Sequence, residues 1–224
     1  MIPWVQLGAA RVPDDGGELR LMRRGAEFSI MAGAIELMNS RLSGSEQALA
    51  DLTCQRLNGR TAPRVLIGGL GMGFTLRAAL AALGADAAVT VAELVPDVIA
   101  WARGPLAPIY GESLADRRVT IEEGDVAALI GAAGRRYDAI MLDVDNGPAG
   151  LTRALNDDLY SAGGLSRARA ALSSAGVLAM WSSAPDAAFA RRLGAAGFSV
   201  QEVRVRAHGR RGGARHVIWL GTKS

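Results

Sequence analysis

The sequence predicts a doubly wound α/β fold: a mostly parallel, seven-stranded sheet closed by an antiparallel C-terminal hairpin, with a small β appendage at the N-terminus. Three observations predict it. From Arg64 onward, short branched-apolar runs alternate with stretches of helical apolar spacing. The first such run, Val65-Leu66-Ile67, breaks into Gly69, Gly71 and Gly73 before helical spacing resumes, which is a strand, a tight turn and a helix start. Three acids, Glu93, Asp125 and Asp143, stand just past later strand-like runs, at the edge of a parallel sheet where ligands bind.

Taken in order, residues 1–42 form the appendage and residues 43–224 the main domain. The first 17 residues run into Pro13, Asp14, Asp15, Gly16 and Gly17, which is turn chemistry, and read as an extended arm. Glu18 to Met22 and Glu27 to Met31 flank Arg23-Arg24-Gly25 as a hairpin, with Ile35 to Met38 as a third strand. Ser43 and Glu46, three apart, have the spacing of a capping box and open an Ala/Leu-rich helix to Leu57, which Asn58-Gly59 ends. Strand 64–68 then leads into the glycine turn and helix Thr75 to Leu83. The alternation continues with strand Ala88 to Ala92, a helix opened by Pro96, strand Val119 to Ile121, helix Val126 to Ile130 and strand Tyr137 to Leu142. Beyond a long loop come helix Leu165 to Leu172, strand Val177 to Trp181, helix Asp186 to Leu193, and the pair Phe198 to Val205 and His216 to Leu220. Five strands joined through helices imply right-handed parallel crossovers, and the last pair adds the antiparallel end.

Half of the 224 residues are hydrophobic, enough for a substantial core, and the net charge of +3 is mild. No basic stretch followed by an apolar run opens the chain, and no window has the length of a membrane span, so a cytoplasmic protein without membrane contact is expected. The single cysteine, Cys54, lies among Ala50, Leu52 and Leu57 and reads as a buried, inert thiol. No metal-ligand cluster is visible. The basic excess is arginine in the run from Arg204 to His216, which reads as a solvated hairpin loop. RNA is a lesser alternative for that loop, because it lacks interleaved aromatic residues. His208 and His216 read as surface and strand-end residues rather than bases.

Alternating glycines allow positive φ and close approach of the backbone to a ligand, while the N–H groups of the following helix point at it. Glu93 follows Gly73 by 20 positions, the spacing at which an acid accepts hydrogen bonds from ribose hydroxyls, although an acid before a helix is also favoured on its own account. Asp125 suits an adenine amino group and suits equally the N-cap of the helix at Val126. A dinucleotide site would call for glycine at position 74, where the chain has Phe74, so the turn fits a shorter nucleotide.

The order of these blocks resembles the class I S-adenosylmethionine-dependent transferases, the Rossmann-like methyltransferase superfamily, over residues 60–205, and within it the spermidine synthase group. The resemblance rests on Val65-Leu66-Ile67-Gly68-Gly69 with Thr75-Leu76-Arg77, on Val89-Thr90-Val91-Ala92-Glu93, and on Gly124-Asp125. It rests further on Tyr137-Asp138-Ala139-Ile140-Met141-Leu142-Asp143, on Gly147-Pro148-Ala149 and on Leu159-Tyr160-Ser161. It implies that S-adenosylmethionine, or its decarboxylated form, binds at Gly69, Gly71, Gly73, Glu93 and Asp125. It implies catalytic roles for Asp143 and Asp145, a substrate contact from Asn146, and a homodimer; Asp143-Val144-Asp145-Asn146-Gly147 also suits a plain hydrogen-bonded turn, and Tyr160 suits a substrate contact and equally a place packed under that loop.

The chain also departs from that group. Where its aminopropyltransferases carry an aspartate in the glycine loop, this chain has Met72, and where they carry a Tyr-His-Glu run it has Leu49-Ala50-Asp51. The Asp-x-x-Asp-Pro loop is shortened to Asp143-Val144-Asp145-Asn146-Gly147-Pro148. The expected activity is therefore methyl transfer to a small acceptor such as an amine. Aminopropyl transfer and a catalytically idle nucleotide-binding protein are the alternatives.

Overall fold

The computed structural model describes residues 2–13, 17–132, 137–144, 158–208 and 213–224. Four strands, β1 (Val5–Arg11), β2 (Glu18–Arg24), β3 (Glu27–Ala32) and β4 (Ile35–Asn39), form an antiparallel meander in sequence order. The seven-stranded sheet contains β5 (Arg64–Gly68), β6 (Ala88–Glu93), β7 (Val119–Glu123), β8 (Tyr137–Leu142), β9 (Leu172–Ser182), β10 (Phe198–Arg206) and β11 (Arg215–Lys223). Its order is β10-β11-β9-β8-β5-β6-β7; β5 to β9 are parallel, and β11 runs antiparallel to both β9 and β10. The predicted Rossmann-like architecture and its terminal hairpin are therefore present.

Alternate residues of each central strand face opposite layers, as the pleat requires. Val65, Ile67, Ala139, Met141, Val177, Ala179, Ile218 and Leu220 join one core, which also takes in helices α1 (Gly44–Gln55), α2 (Phe74–Ala82) and α3 (Pro96–Arg103). Their neighbours Leu66, Ile140, Leu142, Leu178, Met180, Val217 and Trp219 join the other, under α5 (Val126–Gly131), α6 (Ala162–Ala171) and α7 (Ala187–Ala195). Both faces are covered, which is why these strands read as unbroken apolar runs.

The N-terminal region is more ordered than expected. Residues 5–11 are not an arm but a strand paired with β2 from Val5↔Arg23 to Arg11↔Glu18, with a register shift between Gln6 and Gly8. The shift and the mostly exposed side chains of β1 erase the period-2 pattern that would have announced it. Ala10, Val12, Leu21, Phe28 and Ile30 of this region are buried in the first core, so the small sheet packs onto the main domain. A short helix α4 (Ala107–Tyr110) and a 3-10 turn (Gly111–Ala115) follow α3, where the sequence announced no element.

Among the described residues three helix starts are capped by a side chain, and the one capping box expected from the sequence is absent. Asp125, Ser161 and Asp186 each accept a backbone N–H from their own helix. The capping box expected at Ser43 and Glu46 does not form: the Ser43 side chain makes no cap bond and accepts from the Gln47 amide at 3.1 Å instead. Glu46 is turned elsewhere, with consequences for the site.

Candidate active site

The chain reverses its winding direction at β5, which lies between β6 and β8, and the carboxyl ends of these three strands open into a crevice. Backbone bonds stitch those ends together: Gly69 donates to Ala92, Asp143 to Gly68 and Gly124 to Glu93, at 2.8–2.9 Å. Gly69 has φ +91, and a Cβ there would stand 2.6 Å from the Asp143 carbonyl oxygen. Only glycine lets the turn pass this close to β8.

A first cavity of about 920 Å³, measured up to its open mouth, lies above these ends. Gly69, Gly71, Glu93, Gly124, Asp125 and Asp143 form its polar floor, and Val12, Leu19, Ile30 and Met38 of the N-terminal region form an apolar wall. Glu93 is only 8% exposed. Its carboxylate accepts from Leu70 N and Val95 N, both at 2.9 Å. Burial pushes its pKa up while these backbone donors hold it down. Each oxygen keeps acceptor capacity for a ligand hydroxyl. Asp125 lines the same cavity and accepts from Ala127 N at 2.8 Å, so it serves as N-cap and cavity wall together.

Gly73 stands apart from the other two glycines. It has φ +75 as the N-terminal flank of α2, and a Cβ there would lie 2.3 Å from the Tyr110 ring. Tyr110 in turn donates to the Gly71 carbonyl at 2.7 Å. Gly73 lets this buried tyrosine clamp the turn from beneath and borders a second cavity rather than the first.

That second cavity, of about 1170 Å³, shares Asp143, Gly71, Leu37 and Met38 with the first. Asp143 Oδ2 accepts from Thr75 Oγ1 at 2.6 Å. Burial, and then the nearby Glu46 carboxylate, push Asp143 up to about 7. Glu46 is likewise raised by burial, and its Oε2 accepts from Ser45 Oγ at 2.7 Å. Ser45 Oγ also stands 2.9 Å from Nδ1 of His216, whose ring packs edge-on against Trp181 at 4.7 Å. Glu36 lines the cavity too, but is engaged by Ser29, Asn39 and Arg41. Among the described residues the lining includes three acids and no lysine or arginine.

Of the residues singled out by sequence, Gly69, Gly71, Glu93, Asp125 and Asp143 meet in the first cavity, with Gly73 one step away. Asp145 and Asn146 lie outside the described residues. Tyr160, expected to touch substrate, is instead 2% exposed, packs edge-on against Phe189 and donates to the Val144 carbonyl at 3.3 Å. It lines neither cavity, and braces the end of β8 from below. His216, read as a strand-end residue, is a half-buried wall of the second cavity, because β11 inserts beside β9 and carries it inward. Sequence reasoning missed Glu46, whose capping spacing concealed it, and the apolar wall from the N-terminal sheet. Met72 is buried beside the second cavity, while Leu49 and Ala50 lie fully in the core. Cys54 is buried, and its thiol is pushed up to about 12.

Among the described residues no helix is long and apolar enough to cross a membrane, and no group of His, Cys, Asp or Glu is placed to hold a metal ion. No protein-family model matches the chain, and no curated protein matches it significantly. Solved structures do. A spermidine synthase in complex with the transition state analogue AdoDATO aligns over 98% of this chain and 72% of its own, with a TM-score of 0.76 and 16% identity. Spermidine synthase from Thermotoga maritima aligns over 98% and 73%, with a TM-score of 0.77 and 16% identity. TrmN from Thermus thermophilus aligns over 83% and 51%, with a TM-score of 0.56 and 23% identity. The chain thus has the fold of these two spermidine synthases.

Proposed function

We propose that the protein is an S-adenosylmethionine-dependent transferase that moves a methyl group to a small acceptor. One observation carries the reading: two cavities adjoin, and Asp143 lines both. The first suits a nucleoside, with Glu93 for the ribose hydroxyls and Asp125 for the base, against the apolar wall of the N-terminal sheet. A sulfonium donor carries its own leaving group, so transfer is an in-line displacement. The protein must then position the acceptor and take its proton. Asp143, held by Thr75 at the end of β8, does both in this reading, which also gives Asp145 a catalytic role and Asn146 a substrate contact.

An amine fits the second cavity best, since Glu36, Glu46 and Asp143 line it without a lysine or arginine among the described residues. Aminopropyl transfer from decarboxylated S-adenosylmethionine is the second reading, favoured by Glu46, which brings an acid to the cavity where Asp51 is exposed and lines neither cavity. Met72 counts against it, because a buried thioether gives the donor's ammonium group no counter-charge. The reading further includes a homodimer in the cytoplasm, on the strength of the family resemblance, and leaves the arginine-rich loop as a solvated face rather than an RNA site.

Calorimetry with S-adenosylmethionine, decarboxylated S-adenosylmethionine and their two thioether products tests the proposal. Binding of one donor together with its own product identifies the transferred group, and failure of all four to bind removes the reading. Incubation with labelled donor and a panel of amines then separates an active enzyme from an idle nucleotide-binding protein.

A further inference from the structure

The second cavity contains a line of hydrogen bonds that positioning of an acceptor does not require. It starts at Glu46 Oε2, passes through Ser45 Oγ at 2.7 Å and reaches His216 Nδ1 at 2.9 Å. Its members come from distant parts of the chain, the first turn of α1 and the start of β11, and Ser45 is 1% exposed. A hydroxyl placed between a carboxylate and an imidazole is a donor to one and an acceptor from the other, and it can reverse both bonds by rotating. At the inner end Glu46 shares the cavity with Asp143, and Thr75 Oγ1 donates to Asp143 Oδ2 at 2.6 Å and lies 3.4 Å from the Glu46 carbonyl oxygen; at the outer end the His216 ring is half-buried.

We infer that Ser45 and His216 form a proton relay that returns the Glu46–Asp143 carboxyl pair to its ionised state after each transfer. This rests on the reading of the site as a transferase. When an acceptor attacks, its bond to hydrogen breaks as its bond to the transferred carbon forms, and the carbon–sulfur bond breaks to leave a neutral thioether. The proton passes to the two carboxyls that line the cavity, Asp143 and Glu46. Glu46 Oε2–H then donates to Ser45 Oγ, the Ser45 hydroxyl proton moves to His216 Nδ1, and the resulting imidazolium loses a proton to solvent. The net products are the transferred group on the acceptor, the thioether and one proton in water.

The surroundings suit this path. Among the described residues, the titratable groups lining the cavity are Glu36, Glu46, Asp143 and His216. Glu36 is taken by Arg41, and Asp143 Oδ2 by Thr75, so the bond to Ser45 makes Glu46 the outlet of the pair. Burial lowers the pKa of His216, which favours prompt release of the proton it receives. Ser45 and His216 touch the reacting groups only through Glu46, so they are positioning residues.

The relay has a signature that a mere structural tie between α1 and β11 lacks. When Glu46 is ionised, Ser45 donates to it and neutral His216 carries its proton on Nδ1; when Glu46 is protonated, the line reverses and His216 carries its proton on Nε2. Nitrogen-15 NMR of the imidazole, followed upward from about pH 6.5 across the titration of the carboxyl pair, should show this change of tautomer in the wild-type protein and not in Ser45→Ala. A single tautomer over that range, or the same change in Ser45→Ala, overturns the relay. Calorimetry with S-adenosylhomocysteine and methylthioadenosine on the same samples keeps the two proposals apart. Binding without the tautomer change refutes the relay alone, whereas the change without binding of these products or of either donor supports a proton path through Ser45 and removes the transferase reading. With an accepted amine in hand, His216→Gln should lower turnover at least fivefold while leaving KM within twofold, and added imidazole should restore part of it. An equal loss in KM and no rescue would return His216 to a structural role.

Discussion

The two cavities meet at Asp143 but are made in different ways. The first is largely a backbone object: a glycine turn, four strand ends stitched by amide bonds, and Glu93 gripped by the N–H groups of Leu70 and Val95. The second is a side-chain object, assembled from β4, the first turn of α1, the glycine turn, the end of β8 and the start of β11. A site that depends on unusual backbone conformations demands particular residue types at fixed spacing. A site that depends on convergence of side chains demands only that the topology bring them together. Within one fold, the first kind constrains its sequence tightly and the second is free to take a new acceptor.

The sharpest way to break this comparison is at the glycine turn. Gly73→Ala places a Cβ 2.3 Å from the Tyr110 ring at a φ of +75, so it adds backbone strain to overpacking. Together these should cost about 2–5 kcal/mol, read as a lower midpoint in urea. Gly71→Ala should cost less, because its nearest contact is the flexible Met38 Sδ at 3.1 Å. If Gly73→Ala keeps its stability and loses nucleoside binding, Gly73 belongs to the first cavity after all.

The shared residue gives the next largest effect. Asp143→Asn keeps the shape and the Thr75 contact but cannot take a proton, so transfer should fall by about 100-fold or more with donor affinity unchanged. The same substitution has a pH signature in stability. Asp143 is raised from 3.8 to about 7, so the folded protein holds a proton that the unfolded chain has already lost. Its contribution to stability is full below the unfolded value and is lost as the pH rises through the folded one. Thermal unfolding of Asp143→Asn should therefore match the wild type near pH 4 and exceed it near pH 8. A wild type that gains on the variant as pH rises would show that Asp143 is stabilised as an anion, against its burial beside Glu46.

A smaller effect is expected on the nucleoside side alone. Glu93→Ala should weaken binding of the thioether nucleoside by about 1.5–3 kcal/mol through loss of charged hydrogen bonds. It also leaves the N–H groups of Leu70 and Val95 without their carboxylate, so a lower melting temperature should accompany it. An unchanged dissociation constant with the fold intact removes Glu93 from the site.

What could be read in the sequence follows the same division. The seven-stranded sheet was legible because the central residues of β5, β8 and β9 are covered on both faces and so form apolar runs, and the glycine turn because its positive φ values favour glycine. β1 was not legible, since its register shift and exposed side chains hide the alternation of a strand. Glu46 carried a signal that pointed the wrong way: three residues after Ser43, it suited a helix cap, and only the packing of α1 beside β8 and β11 shows it facing Asp143. His216 had no signal, because its place depends on β11 inserting between β9 and β10 rather than adding at the edge.

Tyr160 offers the finest test of where the second cavity ends. Its place in a family-like block suggested a substrate contact, yet its ring is 2% exposed and lies against Phe189, which itself packs on Trp219 of the second core. Its hydroxyl reaches the Val144 carbonyl, one residue beyond Asp143, at 3.3 Å. A residue so placed acts on the site through the backbone that carries Asp143. Tyr160→Phe keeps the ring and removes that bond, so unfolding in urea should show a loss of about 0.5–1.5 kcal/mol. Nucleoside affinity should not change, and the acceptor KM should stay within about twofold, because less than 0.4 kcal/mol of binding is then at stake. A tenfold rise in KM at unchanged stability would instead put the hydroxyl in contact with the acceptor, and would extend the second cavity past β8 toward α6.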